Sequence, residues 1–140
     1  VYVHVLGFCH MDVKPCNLLV GKSIDLKLAD FGCAIKGPVT AGAPERVTVK
    51  SMSGTQGFRA PEVQEGAEYC PVKADIFSLA AAMFRIFTDR NPFPKGAVEG
   101  DGYWKYVCAG NKRMFFGRHH NQVYNIHCEF KLFSTELMDL

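Results

Sequence analysis

The segment DIFSLAAAMFRIF, residues 75–87, constrains the fold of this chain more than any other. Its apolar residues do not keep to one stripe but run nearly all the way round a helix. A helix of that kind is expected to be buried on all sides, at the centre of its unit. Ser78 and Arg85 break the apolar run, which is in any case too short to span a bilayer. The opening residues carry no signal-peptide pattern.

The rest of the chain arranges itself around that helix. Its 140 residues suffice for one domain or one lobe of a larger one, and an apolar content of 48% supplies a core. The first nine residues read as the end of a helix stopped by Gly7. LLV and LKLA flank GKSID, which reads as two short strands and a turn. Residues 36–57, rich in Gly, Pro, Ser and Thr, read as a long loop, and such loops are usually functional or disordered. NPFPKGAVEGDG is a second loop, and YWKYVCAG a short helix ending at Gly110. STELMDL opens another helix, with Ser134 as N-cap and Glu136 in its first turn. The expected class is mainly α with a short β-hairpin. Both chain ends fall inside patterned segments and read as cut.

Charge and cysteine content narrow the function classes. Lys and Arg number 16 against 14 Asp and Glu, a balance that disfavours nucleic acid or an anionic membrane as the main partner. The six cysteines form no C-x-x-C pair, which favours a reduced, intracellular and cytoplasmic protein, although an even count also permits disulfides.

The chemistry concentrates in HMDVKPCN, residues 10–17. Pro15 keeps this stretch out of a helix interior. The hairpin that follows returns the chain, so Asn17 and Asp30 are expected within a few ångströms of each other. Two hard oxygen donors at that distance can hold Mg²⁺, which takes few protein oxygens and completes its shell with phosphate oxygens. Lys14 adds positive charge for a transferring phosphoryl group, and Asp12 is left to accept a proton. Base, cation and metal holders together are the parts of phosphoryl transfer.

These residues resemble the eukaryotic protein kinases. HMDVKPCN is similar to the catalytic loop H-R-D-x-x-x-x-N, DFG at 30–32 to the metal-binding triplet, and APE at 60–62 to the end of the activation segment. DIFSLA at 75–80 resembles that family's D-x-W-S-x-G helix start. The resemblance covers essentially all 140 residues, as the C-terminal lobe of the kinase-like α+β fold with the N-terminal lobe absent. It implies a partial kinase domain over residues 1–140, truncated at both ends, that uses ATP and Mg²⁺ to phosphorylate a protein substrate. It implies Asp12 as catalytic base, Lys14 at the γ-phosphate, Asn17 and Asp30 on Mg²⁺, and Leu19 under the adenine ring. Thr55 is implied to bond Asp12 and Lys14, Asp75 to bind amides of the catalytic loop, and His10 to support Phe31. Lys14 and the GT…APE form resemble the serine/threonine branch.

Departures qualify the resemblance. Cys16 replaces a usual glutamate, Phe77 a tryptophan and Ala80 a glycine. No G-x-G-x-x-G occurs, since GDGYWK at 100–105 fails at the third glycine, and no strand lysine precedes the loop. The arginine that usually pairs with Glu62 is also missing, so Glu62 is expected to lack a buried cationic partner. A non-catalytic kinase-like interaction module is therefore the rival reading.

Other features have plainer readings. A polar turn is the alternative for residues 10–17, disfavoured by the companion motifs. Cys33 reads as a small buried thiol rather than a redox switch. RHHNQVYNIHCEF, with His119, His120, His127 and Cys128, reads as a surface loop packed by Val123, Tyr124 and Phe130 rather than a zinc site. Tyr103, Trp104 and Tyr106 read as core packing of a short helix rather than a peptide-docking patch.

Met11 stands where the family usually has the arginine that pairs with an activation-segment phosphate, and Lys36 is the one candidate replacement. Activity is accordingly predicted to depend little on phosphorylation at Thr40, Thr48, Ser51 or Ser53. Assay of the intact enzyme before and after phosphatase treatment checks this, and a large drop contradicts it.

Overall fold

A computed structural model describes residues 2–22, 25–37 and 48–123, with side chains described as far as residue 119. The helix expected at the start is α1 (Tyr2–Val5), and Gly7 ends it at a φ of 78°, a left-handed value that glycine adopts without strain. β1 (Phe8–Cys9) follows, and a 3₁₀ turn at Pro15–Asn17 leads into β2 (Leu18–Val20). Pro15 begins that turn, where its missing N–H costs nothing.

The hairpin forms as read. β2 and β3 (Leu26–Leu28) are antiparallel, with Leu18 opposite Leu28 and Val20 opposite Leu26. A second antiparallel pair joins β1 to β4 (Ile35–Lys36), with Cys9 opposite Ile35. Helices then dominate: α2 (Pro61–Gln64), α3 (Pro71–Thr88), α4 (Trp104–Cys108) and α5 (Lys112–Val123). Among the described residues no helix is long and apolar enough to cross a membrane.

α3 joins two apolar clusters. One gathers Cys9, Met11, Ala60, Val63, Tyr69 and Ala74; the other is built on Phe93, Ala97 and Phe115, and Phe77 packs against both. The second is aromatic, with Phe93 and Trp104 edge to face at 5.0 Å between centroids and Phe93 and Phe115 tilted at 5.8 Å. Ser78 is tolerated in the helix because its hydroxyl donates to the Ala74 carbonyl at 3.0 Å.

α3 is not buried on all sides: Ala74, Ala81 and Ala82 are buried, but Ile76, Met83, Ile86 and Phe87 are each roughly half exposed or more. The small alanines face the packed side, where they permit close approach. The bulkier residues, with Tyr2 and Leu6 of the first turn, line a groove of about 1180 Å³. Residues 118–123, the start of the expected surface loop, belong to α5, and His119 is buried in it, stacked on Tyr103 at 4.2 Å. A run of polar residues concealed that helix, because its buried face uses His119 with Phe115. Burial lowers the His119 pKa, and its Nε2 donates to the Pro92 carbonyl at 3.2 Å. Tyr103 and Trp104 pack against the aromatic cluster, as read. The helix expected at STELMDL lies outside the described residues, as do His127 and Cys128.

One carboxylate ties α3 to the segment after β1. Asp75, 4% exposed, accepts the His10 amide at 2.7 Å on Oδ2 and the Met11 amide at 2.7 Å on Oδ1. His4 Nε2 lies 2.9 Å from the same Oδ2. A charged acceptor shared by two buried amides is worth more than neutral bonds, and removing it strands both donors. Asp75→Ala is predicted to lower unfolding free energy by about 2–5 kcal/mol. Urea denaturation followed by circular dichroism checks the value.

Candidate functional site

With its first two amides tied to Asp75, the segment from His10 to Asn17 holds an uncommon backbone. Met11 has a φ of 65°, a left-handed value costly for a side chain with a Cβ. The Asp75 bonds to the His10 and Met11 amides hold it there. The Met11 side chain is 6% exposed and joins the first apolar cluster, so it contributes packing where an arginine would bring charge.

His10 acts as a strut. Its Nε2 donates to the Ala29 carbonyl at 2.8 Å, which leaves Nδ1 to accept the Asp12 amide at 3.3 Å. Its ring meets Phe31 edge to face at 4.9 Å. One buried imidazole therefore links the segment after β1 to the segment after β3, in the role expected of it.

Asp12, Lys14 and Thr55 form a closed triangle. Lys14 Nζ donates to Asp12 Oδ2 at 2.7 Å and to Thr55 Oγ1 at 2.9 Å. Thr55 Oγ1 donates to Asp12 Oδ1 at 2.7 Å. Thr55 arrives from 43 residues away because Gly54 takes a φ of 91° and passes close to the loop. A Cβ on Gly54 would lie 2.7 Å from the Met11 carbonyl oxygen, so only glycine fits. Arg59 Nε donates to the Gly54 carbonyl at 2.8 Å and pins that turn.

Asn17 and Asp30 flank the triangle. Asn17, buried, donates from Nδ2 to the Asp12 carbonyl at 2.9 Å, which leaves its Oδ1 as the oxygen donor. Its own carbonyl accepts the Ala29 amide at 2.9 Å, a bond that puts Asp30 one residue beyond the contact. Asp30 is exposed, has a φ of 60° and accepts the Gly32 amide at 3.3 Å. Lys14 senses its charge. A carboxamide oxygen and a carboxylate are hard donors of the kind that hold Mg²⁺.

Other predicted residues fall further out. Leu19 sits on β2 opposite Lys27, 54% exposed, and does not join the triangle. Cys33, read as a buried thiol, is exposed, because it sits on the 3₁₀ turn Phe31–Cys33 with its neighbours also at the surface. The five described cysteines are free. Glu62 lies half-buried on α2, and the ion pairs seen among the described residues join Asp12, Asp25, Asp75 and Asp89 instead. Sequence reasoning overlooked His4 and Arg59. The one polar residue in VYVHVLGF was the available signal for His4, and nothing local marked Arg59.

Comparison with known proteins gives a consistent result. Residues 1–139 match the family described as "Protein kinase domain". The chain is 36% identical over 93 residues to serine/threonine-protein kinase mos of Patiria pectinifera, covering 66% of this chain and 26% of that protein. It is 40% identical over 98 residues to serine/threonine-protein kinase chk-2 of Caenorhabditis elegans, covering 66% and 19%. It is 38% identical over 112 residues to CBL-interacting protein kinase 29 of Oryza sativa subsp. japonica, covering 80% and 23%. The chain thus spans about a quarter or less of the length of these relatives.

The triangle has an electrostatic signature. Burial alone would raise the Asp12 carboxyl, but hydrogen bonds from Lys14 and Thr55 and the Lys14 charge outweigh it, and the pKa is lowered from 3.8. The Asp12 bond raises Lys14 against a smaller effect of burial. A carboxyl with a depressed folded pKa adds stability above its unfolded pKa and loses it as pH falls through the folded value. Wild type is therefore predicted to exceed Asp12→Asn in stability above about pH 4, with the gap closing on further acidification. Thermal melts of the two proteins across the acid range check the sign.

Proposed function

The chain belongs to the protein kinase domain family, and on that premise we propose that it is the C-terminal-lobe part of a serine/threonine kinase transferring the ATP γ-phosphate to a protein hydroxyl. The single observation that carries this is the Asp12–Lys14–Thr55 triangle, closed by bonds of 2.7, 2.7 and 2.9 Å. A carboxylate and an ammonium held by one hydroxyl are positioned before any substrate arrives, and positioning with electrostatics accounts for most of the catalysis in this reaction class.

In this reading Asp12 orients the substrate hydroxyl and accepts its proton, which its ionised state at neutral pH allows. Lys14 presents positive charge to the transferring phosphoryl group, and Thr55 keeps both partners in register. Asn17 and Asp30 are the residues that would hold Mg²⁺, and their oxygen donor set fits that ion. Bound Mg²⁺ would neutralise charge on the phosphate oxygens. Leu19 contributes an apolar surface for the adenine. The protein substrate would run along residues 55–62. Free cysteines and a balanced charge support an intracellular protein whose main partner is another protein rather than nucleic acid.

The glycine-rich loop and strand lysine of kinases do not occur among the 140 residues. In this reading the part that covers the nucleotide lies outside them, and the chain by itself binds ATP weakly and turns over little. The second reading, a non-catalytic kinase-like module, gains from that observation only if no such loop and lysine are encoded upstream of Val1.

Transfer from radiolabelled ATP to a general Ser/Thr acceptor protein, by the product of the full reading frame that carries this segment, separates the two. The enzyme reading predicts turnover that falls about 10²–10⁴-fold in Asp12→Asn and fails without Mg²⁺. Absence of turnover in the wild type, with the fold intact, supports the module.

A further inference from the structure

Outside the triangle, one cluster combines three different donor types. His4 Nε2, Cys9 Sγ and an Asp75 carboxylate oxygen lie within 4.8 Å of one another. We propose that His4, Cys9 and Asp75 form a binding site for a borderline-soft divalent cation of the zinc class, entered from the groove beside α3.

The donor set selects the ion. Nitrogen, sulfur and carboxylate oxygen suit zinc, whereas magnesium and calcium take oxygen alone. The cluster is therefore distinct in chemistry from the Asn17–Asp30 pair. Tetrahedral zinc spaces such atoms roughly 3.3–3.7 Å apart, so the most distant pair needs to close by up to about 1.5 Å, while His4 and Asp75, now 2.9 Å apart, open slightly. His4 sits on the four-residue α1 and retains 14% side-chain exposure, which leaves it room to move.

The surroundings supply what a site needs. Three protein ligands leave the fourth position to water. His4 and Asp75 both line the groove of about 1180 Å³, which gives the ion a path and the water a place. Asp75 is braced by the His10 and Met11 amides at 2.7 Å, an outer set of bonds that orients the carboxylate. Cys9 is fully buried, and its sulfur occupies the space that Gly37 leaves open, since a Cβ there would lie 2.7 Å away.

Binding balances simply. The Cys9 proton passes to solvent, the sulfur lone pair forms the metal bond, and His4 shifts its proton from Nε2 to Nδ1. The His4–Asp75 hydrogen bond explains two of these residues without an ion; the sulfur beside them is what completes a cation set. A metal here would pull on the carboxylate that holds the His10 and Met11 amides. Slower catalysis on loading follows from that and rests on the kinase reading, whereas binding itself does not.

Titration of the product of the full reading frame with Co²⁺ tests the site directly. We expect one tetrahedral ion per chain with a thiolate charge-transfer band, lost in Cys9→Ser and kept in Cys33→Ser. Zinc-edge X-ray absorption on the wild-type protein covers the case in which Cys9→Ser does not fold. One sulfur at about 2.3 Å with nitrogen and oxygen neighbours is expected. A metal shell without sulfur, or a band that survives Cys9→Ser, overturns the proposal.

Discussion

The grip of Asp75 on the His10 and Met11 amides is the interaction from which the rest of this structure follows. It joins the longest helix to a segment 64 residues away and does so with both carboxylate oxygens. A buried charge of this kind is tolerated only when its oxygens are satisfied, and here amides and His4 satisfy them. Met11 can then hold its left-handed backbone, and Asp12 is delivered to one fixed place. Without the anchor, the strain at Met11 would be released by moving the segment that carries Asp12.

From that anchor, order spreads by short links rather than by a large core. His10 connects the loop to Ala29 and Phe31, and Asn17 connects it back to Ala29. Each link is a single bond between segments adjacent in space, and each leaves the next group correctly aimed. The apolar clusters support this network from below, with Met11 itself part of the first. The exposed face of α3 belongs to a different logic. Ile76, Met83, Ile86 and Phe87 form one wall of the groove, and the residues described here cover only the opposite side of the helix.

Much of this was legible in the residues. Gly7 marked the end of α1, GKSID marked the hairpin, and Pro15 marked the break before β2, each through a backbone preference that acts locally. The candidate cluster could be located as well, because Asp12, Lys14 and Asn17 are few, polar and close in sequence, with Asp30 on the far side of the hairpin. Burial was harder to read. An all-round apolar helix shows that both faces can be buried, not which face is. The polar run from Arg118 concealed the second half of α5, since its buried positions include a histidine, whose packing against Tyr103 depends on a partner 16 residues away. Cys33 looked like a small core residue, and the 3₁₀ turn that carries it lies at the surface.

The sequence by itself determined the local elements and the inventory of reactive groups, because backbone preference and side-chain chemistry are properties of single residues and near neighbours. Only the tertiary structure decided the distances at which Thr55 closes on Asp12 and Lys14, that Asp75 shares one oxygen between His4 and the His10 amide, and that Cys9 stands beside them. Those contacts span up to 71 residues, and a hydrogen bond is set by distance and angle in space, which no spacing along the chain records.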